Sequence, residues 1–237
     1  LMHALRIIQK GDMPASGMKG AWAGELGQLQ FIPSSYDKHA VDYDGDGKRD
    51  LIRSKSDALA SAASLLKHYG WQPRQPWLVE VKVPKQMNWS LARLGKKLPL
   101  AQWAKQGVTE VSGRPLKPSG NAALLLPMGR NGPAFLAFPN FDVMLRWNES
   151  TVYSTTAAYL ATRFAGAGQV RYGNAPVQSL SIWQVKQLQS KLKARGLRVT
   201  KIDGIIGEET RAAVRQVQQQ LRLPADGYPD LTLLQKL

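Results

Sequence analysis

The chain has 237 residues, 43% of them hydrophobic and seven of them Trp, enough to bury a core and long enough for two domains; it has no Cys, which excludes disulfides and thiolate metal sites. Lys and Arg number 32 against 17 Asp and Glu, and the formal charge of +15 favours a polyanionic partner such as nucleic acid, anionic lipid or a bacterial wall. No apolar run approaches the ~20 residues of a membrane-spanning helix.

Leu1, Leu5 and Ile8 recur at helical spacing with no capping residue before them, so the first helix is expected to begin upstream of Leu1. Residues 19–36 read KGAWAGELGQLQFIPSSY. Gly20, Gly24 and Gly27 permit close backbone approach to another chain or a ligand, Gln30 supplies an amide, and Pro33-Ser34-Ser35 can start a helix. DYDGDGKRD at 42–50 then sets Asp42, Asp44 and Asp46 at alternate positions with Gly47 sixth, as in an EF-hand calcium loop. Lys48 would contribute its backbone carbonyl and Asp50 would act directly or through water, whereas Arg53 stands where the twelfth-position Glu is usual. A solvated Asp/Gly-rich turn is the plainer alternative.

Ser56 to Tyr69 reads as a helix capped by Ser56 and stopped at Gly70, with Leu59, Ala62, Ala63, Leu66 and Tyr69 as its buried stripe. From Trp77 to about Arg146 the period changes to alternation in LVEVKV and to short apolar runs, AALLLP and AFLAF, which predicts a small β-rich subdomain. Ser150 to Phe164 returns to helix, and the Gly-rich residues 166–178 are expected to form a linker with few packed contacts.

Residues 180–237 carry an internal echo in which Asp203-Gly204 and Asp226-Gly227 each form a turn, followed by Thr210 and Thr232 as candidate helix caps. With the stripe Ile182, Val185, Leu188 and Leu192 before them, a three-helix bundle is expected. A basic DNA-binding bundle using Lys186, Lys191, Lys193, Arg195, Arg198, Lys201, Arg211 and Arg215 is the competing reading, but no recognition helix follows the second turn. The ordered LQ, DG, G, T, AV and VQ landmarks resemble instead the peptidoglycan-binding module appended to wall hydrolases.

The Gly-rich segment, the acidic loop and RWNESTVY at 146–153 together resemble the family B lytic murein transglycosylases over residues 1–165. The resemblance implies an α+β, mainly helical chain: a lysozyme-like core with a small inserted β-subdomain at about 77–146, a linker at 166–178 and a three-helix bundle at 179–237. It implies cleavage of the β-1,4 MurNAc-GlcNAc bond with formation of 1,6-anhydro-MurNAc, in the periplasm, by a soluble or lipid-anchored enzyme. Gln30, Phe31, Trp147, Asn148 and Tyr153 fall where the family lines its glycan cleft. Ala21 and Leu65 depart from the family's hydroxyl and aromatic at their positions.

The family closes its lengthened calcium loop with an acid at the start of the next helix, here Asp57, so the implied metal ligands are Asp42, Asp44, Asp46, Lys48 and Asp57, with structural Ca²⁺ and no cofactor for chemistry. The family's catalytic Glu lies upstream of the Gly-rich run and is expected before Leu1, with Glu25 as an inferior stand-in whose ordinary role is loop support. The expected partners are peptidoglycan glycan strands rather than nucleic acid, with membrane association only through a lipid anchor in a segment before Leu1, and a monomer. A non-catalytic wall-binding scaffold of the same fold is the alternative. His3, His39 and His68 read as surface or packing residues.

Overall fold

A computed structural model describes residues 1–171 and 173–237; Tyr172, inside the expected linker, lies outside the described residues. The chain forms two compact units, Leu1–Pro73 and Arg74–Leu237.

The first unit contains α1 (Met2–Gln9), α2 (Pro33–His39) and α3 (Lys55–His68). Pro33 opens α2 as expected, its missing N–H costing nothing in a first turn. The inward face of α1 differs from the expected stripe: Ile7 is buried while Leu1 and Leu5 are exposed. Cations choose that face. Lys10 Nζ lies 2.6 Å and His3 Nδ1 2.9 Å from the carboxylate of the buried Asp37 on α2, with Arg6 3.7 Å away. The hydrogen bonds from Lys10 and then His3 hold the Asp37 carboxyl well below the usual carboxylate range.

A depressed folded-state pKa stabilises the protein above the unfolded value of about 3.9, and that stability is lost as pH falls through the folded value. Asp37→Asn is therefore expected to lower the urea midpoint at pH 7, with the gap from wild type closing as pH drops below about 4. A gap that stays constant from pH 7 to pH 3 would remove the ion cluster as its cause.

Helix α3 begins two residues earlier than a Ser56 cap would place it, because Ser54 caps it instead, accepting from the Asp57 N–H. Its buried residues are Asp57, Ala58, Ser61 and Leu65, while Leu59 is exposed. The apolar stripe is thus out of phase with the packed face. The reason is polar: Asp57 and Ser61 collect backbone N–H groups of residues 41–50, and satisfying those donors outweighs burying Leu59.

In the second unit, β1 (Leu78–Lys82), β2 (Leu98–Pro99), β3 (Thr109–Glu110), β4 (Asn121–Leu125) and β5 (Ala134–Ala137) form one antiparallel sheet in the order β2-β4-β5-β1-β3. β1 buries Leu78 and Val81 but leaves Val79 and Lys82 exposed, so the expected alternation is only partly realised, whereas β4 beyond Asn121 and all of β5 are buried, as continuous apolar runs allow. The unforeseen α4 (Leu100–Lys105) places Trp103 at the centre of this core, its indole Nε1–H donating to the Ala122 carbonyl at 2.8 Å. The β-region ends before Arg146, because Pro139 starts α5 (Pro139–Trp147), followed by the expected helix, α6 (Thr151–Phe164), which Ser150 caps.

The described residues of 166–178 make hydrogen bonds that a free tether would lack. Val170 N–H donates to the Tyr159 hydroxyl at 2.8 Å, Arg171 N–H to Glu80 at 2.8 Å, and Ala175 N–H to the Asn131 carbonyl at 3.2 Å. Gly173 packs so closely that a Cβ there would collide with the Asn131 carbonyl oxygen.

The C-terminal bundle consists of α7 (Ile182–Ala194), α8 (Glu208–Gln220) and α9 (Leu231–Lys236) around Leu188, Leu192, Val214, Val217 and Leu233. Neither Thr caps a helix: Gly207 and Asp230 hold those positions, and Thr210 is buried. The echo is instead carried by two buried glutamines. Gln189 donates to Asp203 and accepts from Gly204 N–H, while Gln218 donates to Asp226 and accepts from Gly227 N–H. Both glycines have φ near +80°, a region costly for other residues. Gln189→Ala removes this clamp and leaves buried groups unpaired, so a loss of about 2 kcal/mol in bundle stability is expected by chemical melts. An unchanged midpoint would show that water replaces the amide.

Arg211 and Arg215 do not serve as surface cations. The Arg211 guanidinium donates to the Leu126 and Pro127 carbonyls at 3.2 and 2.6 Å, and Arg215 donates to the Ala92 carbonyl at 3.1 Å. Burial lowers both pKa values. Asp226 also accepts the Arg130 N–H at 2.9 Å, so the bundle is bonded directly to the loop that joins β4 and β5. No helix among the described residues is long and apolar enough to cross a membrane.

Candidate functional site

The Gly-rich segment is a loop closed on itself: Leu26 N–H donates to the Phe31 carbonyl at 2.7 Å and Phe31 N–H to the Leu26 carbonyl at 3.0 Å. Gly27, at φ +73°, lies so close to Leu51 that a Cβ would be 2.5 Å from its carbonyl oxygen, and a Cβ on Gly20 would be 2.9 Å from the Gly24 backbone. The close approach is therefore between backbone segments of the first unit. This packing presents Gln30 at φ +53° with its side chain exposed. Its amide NH₂ donates to the Gly27 carbonyl at 2.9 Å, so the amide oxygen has no partner among the described residues and can accept from a ligand. Phe31 is only 3% exposed and supports the loop from beneath.

The two nearby acids have partners within the same unit. Asp12 is paired with the Arg49 guanidinium, and Glu25 accepts the Ala23 N–H at 3.2 Å in its own loop. Tyr36, fully buried, donates its hydroxyl to the Arg49 carbonyl, and burial pushes its pKa up to about 12.

In the acidic loop, carboxylate oxygens of Asp42, Asp44 and Asp57 lie within 4.8 Å of one another. Asp57 is 0% exposed and anchors the group: one oxygen accepts from Tyr43 N–H at 2.8 Å and Asp44 N–H at 3.4 Å, and the other accepts from Asp50 N–H at 2.9 Å. Burial opposes its charged form, and the N–H groups of Tyr43, Asp50 and Asp44 more than offset that, leaving the pKa below its ordinary value. Asp42 accepts from Gly45 and Gly47 N–H, and Asp44 from the Ser54 and Ser56 hydroxyls. Asp46 turns to the Lys48 N–H, outside the cluster, and Asp50 accepts from Ile52 and Arg53 N–H. Ser54 is the contributor that sequence reasoning missed, although Ser54-Lys55-Ser56-Asp57 carries the Ser-x-x-Asp signature of a helix start.

In the second unit the α5–α6 junction holds the other expected residues. Asn148 caps α5 with extended backbone, its side-chain oxygen accepting from Ser150 N–H at 2.9 Å and its carbonyl from the Ser154 hydroxyl at 2.8 Å. The Asn148 NH₂ donates to no group among the described residues. Trp147 is half-buried beside it, and Tyr153, 53% exposed, stands in the first turn of α6. His39 and His68, the last residues of α2 and α3, stack at 4.3 Å between ring centres; burial first, then the charge of His68, lowers the His39 pKa.

Residues 1–162 match the family described as "Transglycosylase SLT domain", and residues 184–237 match "Putative peptidoglycan binding domain". Membrane-bound lytic murein transglycosylase B of Escherichia coli (strain K12) is 36% identical over 141 residues, which is 58% of this chain and 37% of that protein. SltB3 from Pseudomonas aeruginosa, solved with NAG-anhNAM-pentapeptide and with NAG-NAM-pentapeptide, is 47% identical with a TM-score of 0.88 over 100% of this chain and 64% of its own. Escherichia coli Slt35, solved with calcium, is 32% identical with a TM-score of 0.55 over 69% of this chain and 51% of its own. The chain thus spans less than two thirds of the length of each of these relatives. By the match over residues 1–162, the chain belongs to the SLT-domain transglycosylases, with their lysozyme-like fold, and carries a peptidoglycan-binding helical domain at its C-terminal end.

Proposed function

We propose that the protein containing this sequence is a periplasmic lytic transglycosylase that cleaves the β-1,4 MurNAc-GlcNAc bond of peptidoglycan and leaves 1,6-anhydro-MurNAc. The observation that carries this reading is the similarity, over the whole chain, to SltB3, which was solved with an anhydro-muramyl ligand. In such a reaction the substrate's own muramyl hydroxyl attacks the anomeric carbon. One acid protonates the leaving oxygen and then takes the hydroxyl proton.

That acid is expected from a Glu in a segment preceding Leu1. Within Leu1–Pro73, Asp12, Glu25 and Asp37 are bonded inside the unit, and the remaining acids belong to the loop around Asp57. None is set in a dry pocket of the kind that readies a carboxylic acid for proton donation. Gln30 and Asn148 hydrogen-bond N-acetyl groups, Trp147 and Tyr153 offer apolar faces to sugar rings, and the buried Phe31 holds Gln30 in place. The donor set at Asp42, Asp44 and Asp57 is all oxygen and suits a hard cation such as Ca²⁺, whose role is structural. The C-terminal bundle holds the enzyme, as a monomer, on glycan strands.

The test is digestion of purified sacculi by the intact gene product, with the muropeptides read by mass spectrometry. Products one water lighter than the hydrolytic ones support the reading. Binding to sacculi with no release identifies a wall-binding scaffold instead.

A further inference from the structure

We propose that the first turn of α7 and the Asp203-Gly204 turn beside it form a carbohydrate-stacking platform, centred on Trp183, for the N-acetylhexosamine rings of a glycan strand. The proposal rests on reading the bundle as a wall-binding module and says which face binds and what chemistry it reads.

Trp183 is 80% exposed, Ile182 66% and Ile205 64%, in a bundle whose core is otherwise closed by fully buried Leu188, Leu192, Val214 and Val217. The expected stripe counted Ile182 as core, but Val185, Leu188 and Leu192 pack without it. Exposed indole and branched side chains bring the fold nothing that a polar residue would not, and such a patch marks a binding surface.

The patch is built from two separated stretches of sequence. A Cβ on Gly204 would lie 2.6 Å from Ile182 Cγ2 and 3.1 Å from the Ile182 carbonyl oxygen, so the turn sits directly against the start of α7. Gln189, buried, bonds Asp203, Gly204 N–H and the Ile205 carbonyl, while the Ser181–Gln184 capping box fixes the other edge. The two edges are therefore rigid before any ligand arrives. Lys186 Nζ lies 5.5 Å from the Trp183 ring centre and orients the indole.

The chemistry selects a sugar. A flat, electron-rich indole matches the C–H face of a pyranose ring, and Ile182 and Ile205 can cover the methyl of an N-acetyl group. Lys186 and Lys201 at the margin suit the carboxylates that accompany muramyl residues and disfavour a dry protein interface.

The test uses the full chain with two probes: glycan strands stripped of peptide, and intact sacculi. Hydrogen exchange should slow at residues 181–187 and 202–206 when stripped strands are added. Trp183→Ala should weaken sacculus binding by about tenfold or more, the scale of a lost aromatic anchor, at an unchanged melting temperature, and Trp183→Phe should retain most of it. Protection confined to other parts of residues 180–237, with Trp183→Ala binding as wild type, overturns the platform and leaves the module reading intact. Binding only of peptide-bearing fragments overturns the sugar assignment. No protection anywhere in residues 180–237 defeats the module reading itself.

Discussion

Asp57→Ala is expected to destabilise the first unit by about 3 kcal/mol and to abolish stabilisation by calcium. The carboxylate is wholly buried and accepts N–H groups from Tyr43, Asp44 and Asp50; its loss leaves those donors without partners inside the protein. The same group faces Asp42 and Asp44 with carboxylate oxygens within 4.8 Å. At that separation each pair of charges repels by roughly 1 kcal/mol in water and 3 kcal/mol at an effective dielectric near 20. A bound cation reverses that sign, and a ligand at one hundred times its dissociation constant stabilises the native state by about 2.7 kcal/mol. Calorimetry of the wild type should therefore show a melting temperature raised by calcium and lowered by a chelator, with Asp42→Ala blunting the response. A wild-type melting curve and protease resistance at residues 40–60 that ignore calcium would reduce the loop to a turn held by its own hydrogen bonds.

What the sequence made legible here follows from how each signal works. The strand within LVEVKV, the Pro33 start and the helix from Ser150 to Phe164 are local patterns, and each appears where it was expected. The buried face of α3 was misread because apolar periodicity assumes that a helix packs through its leucines. Here Asp57 and Ser61 face inward to bind loop amides, a partnership set by chain folding at a distance. The same limit hid Arg211 and Arg215, which count as surface charge in a composition yet hydrogen-bond loop carbonyls of the β-rich region in the fold. Thr210 and Thr232 were plausible caps by type, but the buried Gln189 and Gln218 hold the turns. Of the residues expected to line a glycan cleft, Gln30, Asn148 and Tyr153 present side chains that a ligand can reach, while Phe31 is covered, a distinction that residue type alone does not carry.

The 237-residue chain by itself is expected to bind glycan and release no anhydro-muropeptides, because Asp12 is paired with Arg49 and Glu25 is a half-buried loop carboxylate that accepts the Ala23 N–H rather than an acid kept dry for proton donation. The intact gene product should cleave. In that enzyme, Gln30→Ala and Asn148→Ala should each lower turnover by about a hundredfold, because the muramyl hydroxyl attacks productively only when its sugar is held in register, and a displacement near 1 Å costs that much. Both residues have side-chain capacity left for a ligand, the Gln30 amide oxygen and the Asn148 NH₂. Glu25→Gln should change turnover by less than about threefold, since its amide can still accept the Ala23 N–H. Single-turnover kinetics on purified glycan strands would separate these outcomes. If the isolated chain proves active and Glu25→Gln abolishes that activity, then Glu25 is the acid, and the assignment of the proton donor to a preceding segment is wrong.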